Sequence, residues 1–232
     1  MANTFPDKFY GRRKGRPLNQ EREDALDLLE QIGVNEELLT QAGTASPGSL
    51  FSKDFDGYWL EIGFGNGEFL SKAQPANPEI GYIGAEPYIN GVAALLKSIQ
   101  NHKTVQNIRV WPDDVRPLLK SLAPASIDRV LVLNPDPWPK KRHHKRRIIN
   151  PDTLDHLSRI LKPDGDILMT TDVDDLAEWM ITQIVNHSDF RWKACAPADA
   201  LTPPDGWEPT RYEIKGRQAG RKQYYLNAIK KL

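Results

Sequence analysis

The sequence predicts an α/β protein built on a doubly wound, mostly parallel, Rossmann-like sheet. From residue 57 onward, short apolar runs alternate with helical segments, which is the order of elements that produces parallel βαβ units. The run SIDRVLVLN at 126–134 has the β-branched and leucine content of a strand that is buried on both faces. The chain of 232 residues is long enough for one such domain with appended segments.

The segment before this alternation has a different character. Residues 1–17 contain glycine, proline and basic residues without apolar periodicity, which predicts a flexible basic arm. Residues 18–39 carry an apolar helical stripe through Leu26, Leu29 and Ile32, and a turn-rich segment follows at 40–49. We therefore divide the chain into an arm (1–17), a helical extension (18–56) and the α/β domain (57–232).

The predicted elements of the α/β domain follow one another in a regular order. Apolar runs predict five strands at 58–63, 81–86, 107–111, 126–134 and 164–172, and two late strands at 190–195 and 223–231. Helical patterns predict helices at 68–73, 89–100, 151–161 and 173–186. The sheet is therefore expected to contain seven strands.

Composition limits the class of protein. The chain has 39% hydrophobic and 27% charged residues, which are ordinary proportions for a soluble globular protein. The single cysteine, Cys195, excludes an intramolecular disulfide framework and a cysteine-rich zinc site. No apolar stretch approaches the roughly 18 residues of a membrane span, and no signal peptide opens the chain. We expect a cytoplasmic protein without a membrane partner.

Charge is balanced over the whole chain but unevenly distributed along it. The 31 Lys and Arg residues equal the 31 Asp and Glu residues. Three segments, 7–16, 140–147 and 211–231, together hold 18 of the basic residues and 2 of the acidic ones, so the rest of the chain is acidic. Basic groups gathered on an acidic body favour a nucleic-acid partner, although any one basic run is also compatible with a solvated loop.

Acidic or polar residues follow each of the five strands that open the α/β domain. They are Glu61 and the glycines after it, Glu86, Asp113 with Asp114, Asn134 with Asp136, and Asp172. Ligands of doubly wound sheets bind at these carboxyl ends, beside the point where the strand order reverses. Capping of the following helices is an alternative role for some of these side chains.

The glycine loop after the first strand favours one class of cofactor. Glycines occupy positions 63, 65 and 67, whereas a dinucleotide fingerprint needs its third glycine at position 68, which is Glu68. No Gly-Lys-Ser/Thr follows a glycine run, so a P-loop is absent. The pattern favours S-adenosylmethionine, a nucleotide with a positive centre and no phosphate. A tight strand-to-helix turn without a ligand is the alternative.

Individual residues can be assigned to parts of that cofactor. Gly63 and Gly65 would let the backbone approach the ligand closely, and Glu61 suits its amino-acid end. Glu86 lies about 20 residues beyond the loop, where an acid accepts hydrogen bonds from ribose hydroxyls. Asp114 is assigned to the adenine amino group. A capping or solvated carboxylate is the competing interpretation of Glu86 and of Asp114.

The most specific segment is NPDPWPKKRHHKRR at 134–147. Three prolines in five residues fix the backbone and exclude a helix, so Asp136 is held on a stiff loop after the fourth strand. Trp138 either stacks on a base or packs beneath the loop. The basic residues that follow can contact phosphates. Because His143 and His144 have six positive neighbours that would repel a cation, we expect no metal.

This loop strongly resembles the signature of the bacterial tRNA (guanine-N7-)-methyltransferases, the TrmB family of class I methyltransferases. LEIGFGNGEFL at 60–70 resembles that family's cofactor loop, GAEPY at 84–88 its second-strand acid, and TTD at 170–172 its fifth-strand end. Thr-Arg-Tyr-Glu at 210–213 resembles its late Thr-x-x-Glu motif. Asn134 stands where the family usually has an aromatic residue, and Val115 where a small residue is usual.

The resemblance implies a seven-stranded class I methyltransferase domain with a late antiparallel strand, S-adenosylmethionine as the cofactor and tRNA as the partner. It implies that Asp136 is catalytic and also binds the cofactor. The substrate-binding positions it implies are Lys140, Asp172, Thr210, Arg211, Tyr212 and Glu213. The RNA-contacting positions are Arg142, His143, His144, Lys145, Arg146 and Arg147.

The implied reaction is methylation of N7 of a guanine in the variable loop of tRNA. Guanine N7 bears a lone pair and no proton, so positioning matters more than proton transfer. A carboxylate such as Asp136 would stabilise the charge that develops on the guanine, and Asp172 or Glu213 can accept hydrogen bonds from its N1 and exocyclic amine.

Other functions stay open at this point. They are methylation of another RNA, a protein or a small molecule, non-catalytic RNA binding on the same fold, and nucleotide-dependent oxidoreduction. The basic segments disfavour a small molecule, and the intact acidic and glycine positions disfavour a non-catalytic protein. The glycine spacing disfavours the oxidoreductase. The oligomeric state is not predicted.

Overall fold

The protein forms one seven-stranded sheet in a computed structural model, which describes residues 10–34, 37, 43–102 and 105–232. The strands are β1 (Gly57–Ile62), β2 (Ile80–Ala85), β3 (Ile108–Trp111), β4 (Ile127–Leu133), β5 (Leu161–Thr171), β6 (Phe190–Trp192) and β7 (Tyr224–Lys230). Their order across the sheet is β3-β2-β1-β4-β5-β7-β6. Strands β1 to β5 pair in parallel, whereas β7 is antiparallel to both β5 and β6. The predicted fold class is confirmed.

Helices flank the sheet and connect its strands. They are α1 (Gln20–Ala25), α2 (Leu29–Ile32), α3 (Glu68–Ala76), α4 (Ile89–Ile99), α5 (Val115–Ser121), α6 (Pro151–Ile160), α7 (Asp174–Val185) and α8 (Arg211–Gln218). Helices α3, α4, α6 and α7 coincide with the four helices predicted for the α/β domain, with ends that differ by up to three residues.

The extension is less helical than its apolar stripe predicts. Helix α1 passes through a 3₁₀ turn (Leu26–Leu28) into α2, which ends at Ile32. The next residue is extended, and the N–H of Val34 donates to the carbonyl of Val110 (2.9 Å). The chain therefore leaves the helix to pair with the edge strand β3. Most of the remainder of the predicted helix, and residues 1–9 of the arm, lie outside the described residues.

The sequence patterns do not predict α5 and α8, because these helices start from capping side chains rather than from apolar periodicity. Asp114 caps α5 by accepting the N–H of Arg116 (3.1 Å), and Pro117 lies in the first turn of that helix. Thr210 caps α8 by accepting the N–H of Glu213 (3.3 Å). Both caps use side chains that the sequence assigned to ligands.

The central strands are covered on both faces. Along β4, Val130 and Val132 belong to an apolar cluster with α5, α6 and α7, whereas Leu131 and Leu133 lie in a cluster on the other face. Helices α1 to α4 contribute a further cluster against β2 and β3. This burial on both faces is typical of parallel strands and confirms the interpretation of 126–134.

The strand order reverses between β1 and β4. The chain passes from β1 outward to β3 and then returns to place β4 on the other side of β1. Such a reversal opens a crevice at the carboxyl ends of the strands, so the loops after β1 to β5 meet at one edge of the sheet. Over the ranges given above, no helix is long and apolar enough to cross a bilayer.

Candidate cofactor and nucleic-acid site

The glycine loop that follows β1 presents its backbone to open space. Gly63 and Gly65 have φ values of +72° and +55°, in the left-handed region that favours glycine. A Cβ on either residue would meet nothing within 4 Å. Helix α4 presses on the other side, because a Cβ on Gly91 would lie 2.3 Å from the carbonyl oxygen of Gly65. The loop is therefore supported from one side and open on the other.

Glu61, near the end of β1, is a buried acid. Its side chain is 3% exposed, and its Oε2 atom has no hydrogen-bond donor among the residues that the structure describes. Burial, together with the charge of Glu86, raises the pKa of Glu61 to about 8. A carboxyl group in this state is poised to accept a cation or a strong donor, since either would favour its charged form.

Glu86 holds the glycine loop in place. Its Oε2 accepts the N–H of Gly65 (2.8 Å) and its Oε1 accepts the N–H of Tyr88 (2.9 Å). Burial raises the pKa of Glu86, the two N–H donors oppose that rise, and the charge of Asp136 adds to it. The charge of Asp136, on the proline-rich loop, therefore acts on the carboxylate that holds the glycine loop.

Asp114, predicted to contact adenine, is occupied by local contacts. Its carboxylate accepts from Nε of Arg116 (2.9 Å) as well as capping α5. Its backbone carbonyl accepts from Nε1 of Trp111 (2.6 Å). The neighbouring Asp113 pairs with Arg13 of the arm (2.6 Å). The capping interpretation of Asp114 thus has structural support, and its cofactor role stays a prediction.

The proline-rich loop leaves β4 through Asn134, which has a φ of +48°. The N–H of Asn134 donates to the carbonyl of Thr170 (3.0 Å), and its side-chain amide donates to Oγ1 of Thr210 (3.4 Å). Its side-chain oxygen accepts from Gln223 (3.1 Å). Asn134 therefore links the loop to β5, α8 and the segment before β7, while Asp136, two residues on, is exposed.

The basic run after the prolines forms a 3₁₀ helix, Lys141–Arg146. Lys140, Arg142 and Lys145 are exposed, as RNA contact requires. The guanidinium of Arg146 lies between the rings of Trp138 (4.9 Å) and Tyr10 (4.6 Å). Trp138 therefore packs beneath this run.

The two histidines of the run are half-buried against tryptophans. The ring of His143 meets Trp138 edge-on at 6.0 Å, and that of His144 meets Trp179 at 5.5 Å. Desolvation and then the charges of the surrounding Arg and Lys side chains lower the pKa of His143, which favours its neutral form. In the part of the chain under description, no group of three His, Cys, Asp or Glu side chains is placed to hold a metal ion.

Arg147, which the sequence assigns to RNA contact, is buried in this structure, with a side chain only 1% exposed. Its Nε donates to the carbonyl of Pro137 (3.0 Å), its Nη2 pairs with Asp175, and its guanidinium lies over the ring of Trp179 at 5.2 Å. The density of charge in the basic run predicts a solvated side chain at position 147, whereas contacts with α7 bury Arg147 in the structure.

The late motif forms the start of α8 and is bonded to the other loops. The N–H of Arg211 donates to Glu68 (2.5 Å), and Asp172 accepts from Nε of Arg221 (2.7 Å). Tyr212 is 62% exposed. Glu213, in contrast, is fully buried and accepts from Trp207, Arg217 and Tyr225. Because Glu213 is fully buried, its predicted bond to guanine requires a movement that exposes its carboxylate.

The described part of the arm contributes residues that the sequence did not assign to the site. The N–H of Gly15 donates to Oδ1 of Asn90 (2.8 Å), and Nδ2 of Asn90 donates to the carbonyl of Arg16 (2.7 Å). The arm thereby borders a cavity of about 780 Å³, lined by Arg12, Lys14, Gly15, Arg16, Arg22, Asn66, Tyr88, Asn90 and Tyr212. The cluster of basic residues at 7–16 is the sequence feature from which this contribution of the arm could have been predicted.

Comparison with known proteins agrees with this geometry. The family model described as "Putative methyltransferase" matches residues 57–226. A protein of Rhodospirillum rubrum named tRNA (guanine-N(7)-)-methyltransferase is 42% identical over 96% of this chain and 88% of its own. Proteins of the same name from Rhizobium meliloti (40% identical, 95% and 94% covered) and Roseobacter denitrificans (42%, 96% and 95%) are similarly related.

Solved structures support the same fold at low sequence identity. A 16S rRNA (adenine(1408)-N(1))-methyltransferase from Catenulisporales acidiphilia has a TM-score of 0.52 at 12% identity, covering 77% of this chain and 87% of its own. The 16S rRNA methyltransferase KamB has a TM-score of 0.51 at 12% identity, covering 77% and 90%. Because the family model covers β1 to β6 and the start of β7, and the named relatives align along nearly the entire chain, the protein belongs to the family of bacterial tRNA (guanine-N(7)-)-methyltransferases.

Proposed function

We propose that the protein transfers the methyl group of S-adenosylmethionine to N7 of a guanine in the variable loop of tRNA, in the bacterial cytoplasm. The observation that carries this proposal is the buried carboxyl of Glu61, which lies just before the open glycine loop and whose Oε2 has no donor among the described residues. The named relatives supply the substrate and the reaction.

The residues present fit the cofactor. S-adenosylmethionine carries an ammonium group, and Oε2 of Glu61 is a buried acceptor that lacks a donor among the described residues. Gly63 and Gly65 leave open space beside the backbone that a side chain would fill. Each carboxylate oxygen of Glu86 accepts one hydrogen bond from a backbone N–H group. Each oxygen has a further lone pair, which can accept a hydrogen bond from a ribose hydroxyl. When bound, the cofactor supplies an electrophilic methyl group.

The chain's own residues supply orientation and charge. Guanine N7 has a lone pair and no proton, so no side chain has to remove a proton before attack. Asp136 is flanked by two prolines whose rings fix the backbone, which limits its carboxylate to few positions. A fixed carboxylate near the guanine stabilises the positive charge that methylation places on the base. Asp136 therefore acts by position and charge.

The exposed basic residues supply affinity for the nucleic acid. Lys140, Arg142 and Lys145 project from the 3₁₀ helix and its start, and the basic cavity beside the arm continues the positive surface. Phosphate contacts of this kind position an RNA without reading its sequence. The guanine is then selected inside the crevice, where the acidic side chains lie.

The proposal is tested by incubating the purified protein with total tRNA and methyl-labelled S-adenosylmethionine. Reductive treatment followed by chain cleavage at N7-methylguanine should give one labelled site in the variable loop. A matched Asp136→Asn variant should form the product much more slowly while retaining cofactor affinity in isothermal titration. Absence of cleavage with active cofactor and unmodified tRNA, or label on another nucleotide, would overturn the proposal.

A further inference from the structure

Arg147 is the buried member of the basic run 140–147, which the structure describes in full. Its neighbours in the run are exposed or half-buried, whereas Arg147 is 1% exposed. Burying a guanidinium is unfavourable unless charged and hydrogen-bonding partners replace the lost water. The partners that it finds therefore indicate what this side chain does for the protein.

The first set of partners fixes Arg147 to α7. Nη2 pairs with Asp175 in the first turn of α7, and the guanidinium lies over Trp179 one turn later. Trp179 is itself fixed, because its Nε1 donates to the carbonyl of Ile149 (2.7 Å). The backbone carbonyl of Arg147 accepts from Asn150 (2.9 Å), the cap of α6. These contacts fix the position of the guanidinium against α7 and the start of α6.

The remaining hydrogen bond of the Arg147 guanidinium joins it to the proline-rich loop. Nε of Arg147 donates to the carbonyl of Pro137 at 3.0 Å, which belongs to the residue directly after Asp136. Proline at 135 and 137 fixes φ on both sides of Asp136, and Trp138 has a φ of +43°. With so little rotational freedom nearby, a shift of the Pro137 carbonyl is transmitted to the Asp136 carboxylate.

We propose that Arg147 is a positioning residue, which holds Asp136 for catalysis through the Pro137 carbonyl and does not bind RNA. The inference rests on the proposed function, because it assigns Asp136 its role in methyl transfer. Arginine is required because its planar fork reaches the Asp175 carboxylate and the Pro137 carbonyl together, whereas the single ammonium of lysine cannot keep both geometries.

The informative substitution is Arg147→Lys, which preserves the charge and removes the fork. Misplacement of a catalytic group by about 1 Å lowers turnover by about 100-fold, so we expect kcat to fall by about 10- to 100-fold. The KM for tRNA and the affinity for S-adenosylmethionine should stay within about 2-fold of wild type. The salt dependence of tRNA binding should not change, because no phosphate contact is lost.

A double-mutant cycle separates positioning from general destabilisation. In an Asp136→Asn background, Arg147→Lys should lower the single-turnover rate by less than about 2-fold, because the group that it positions is gone. Arg129→Lys is the matched control. Arg129 also pairs with a carboxylate, Asp166 (2.7 Å), and lies over Trp59 (4.6 Å), but near the amino end of β4. The Arg129→Lys substitution should lower the midpoint of thermal unfolding without changing kcat.

Several results would overturn the inference. They are an unchanged kcat in Arg147→Lys, an equal loss of rate in the Asp136→Asn background, or a raised KM with a shallower salt slope and an intact kcat. If Arg147→Lys fails to fold, Asp175→Asn replaces it, since Asp175 is exposed and its loss should lower kcat in the same way. A wild-type protein that leaves guanine N7 unmethylated would overturn the proposed function, and this inference with it.

Discussion

Replacing Glu61 with glutamine should change how the stability of the protein depends on pH. The pKa of Glu61 rises from 4.5 to about 8 in the folded chain, first through burial and then through the charge of Glu86. Between these two values the folded protein keeps a proton that the unfolded chain has released. The stabilisation that protonated Glu61 contributes to the folded state is therefore fully present below about pH 4.5 and is lost as pH rises toward 8.

The size of the effect follows from proton linkage. One extra bound proton in the folded state lowers the free energy of unfolding by about 1.4 kcal/mol per pH unit. From pH 5 to pH 7, both within the interval, the loss attributable to Glu61 is about 3 kcal/mol. Glutamine has nearly the same shape and no titrating proton, so Glu61→Gln should lack this loss.

The assay is urea denaturation at pH 5 and pH 7 of wild type, Glu61→Gln and the control Glu178→Gln. Glu178 is an exposed residue of α7, so its variant should follow the wild-type pH dependence. Relative to wild type, Glu61→Gln should gain about 3 kcal/mol between the two pH values. Parallel curves for wild type and Glu61→Gln would show that the Glu61 carboxyl is ionised in the folded protein, which refutes the reasoning.

Three further predictions concern ligands. Binding of S-adenosylmethionine near pH 7 should ionise Glu61 and release about one proton, which calorimetry in buffers of different ionisation enthalpy measures; no release would contradict the proposed pairing. Gly65→Val should lower cofactor affinity by at least about 100-fold, since its side chain would occupy the open space at a positive φ, and unchanged affinity in calorimetry would contradict this. Replacing Lys145 and Arg146 with glutamine should reduce the salt slope of tRNA binding by up to about 2, and an unaltered slope would assign them to a solvated surface.

The strands were predictable because burial on both faces leaves a clear mark in a sequence. Each of the five runs in the first part of the α/β domain contains apolar residues at successive positions, and each became a parallel strand. Helices α5 and α8 lack such a mark. Their starts depend on Asp114 and Thr210 as caps, and a polar residue after a strand has the same appearance whether it caps a helix or binds a ligand.

The parts of the candidate site that lie within one continuous segment could be predicted from the sequence. The parts that form where distant segments come into contact could not. The glycine loop and the proline-rich loop are continuous in sequence. Arg147, by contrast, is buried by Asp175 and Trp179, which lie on another helix. Asn134 contacts Thr210 and Gln223, which lie 76 and 89 residues away in the sequence. No local pattern in charge or hydrophobicity encodes these contacts.

The arrangement of charge separates the two ligands of the proposed reaction. Glu61 and Glu86 lie buried at the floor of the crevice, and the charge of Asp136 reaches Glu86. Burial first, and then the neighbouring carboxylate charges, raise the pKa values of Glu61 and Glu86, and such shifts are common at functional sites. Such a floor repels phosphate and attracts a cationic ligand. The exposed Arg and Lys side chains lie outside it, so in the proposed reaction they would hold the RNA backbone at the rim while the uncharged guanine reaches the acidic side chains.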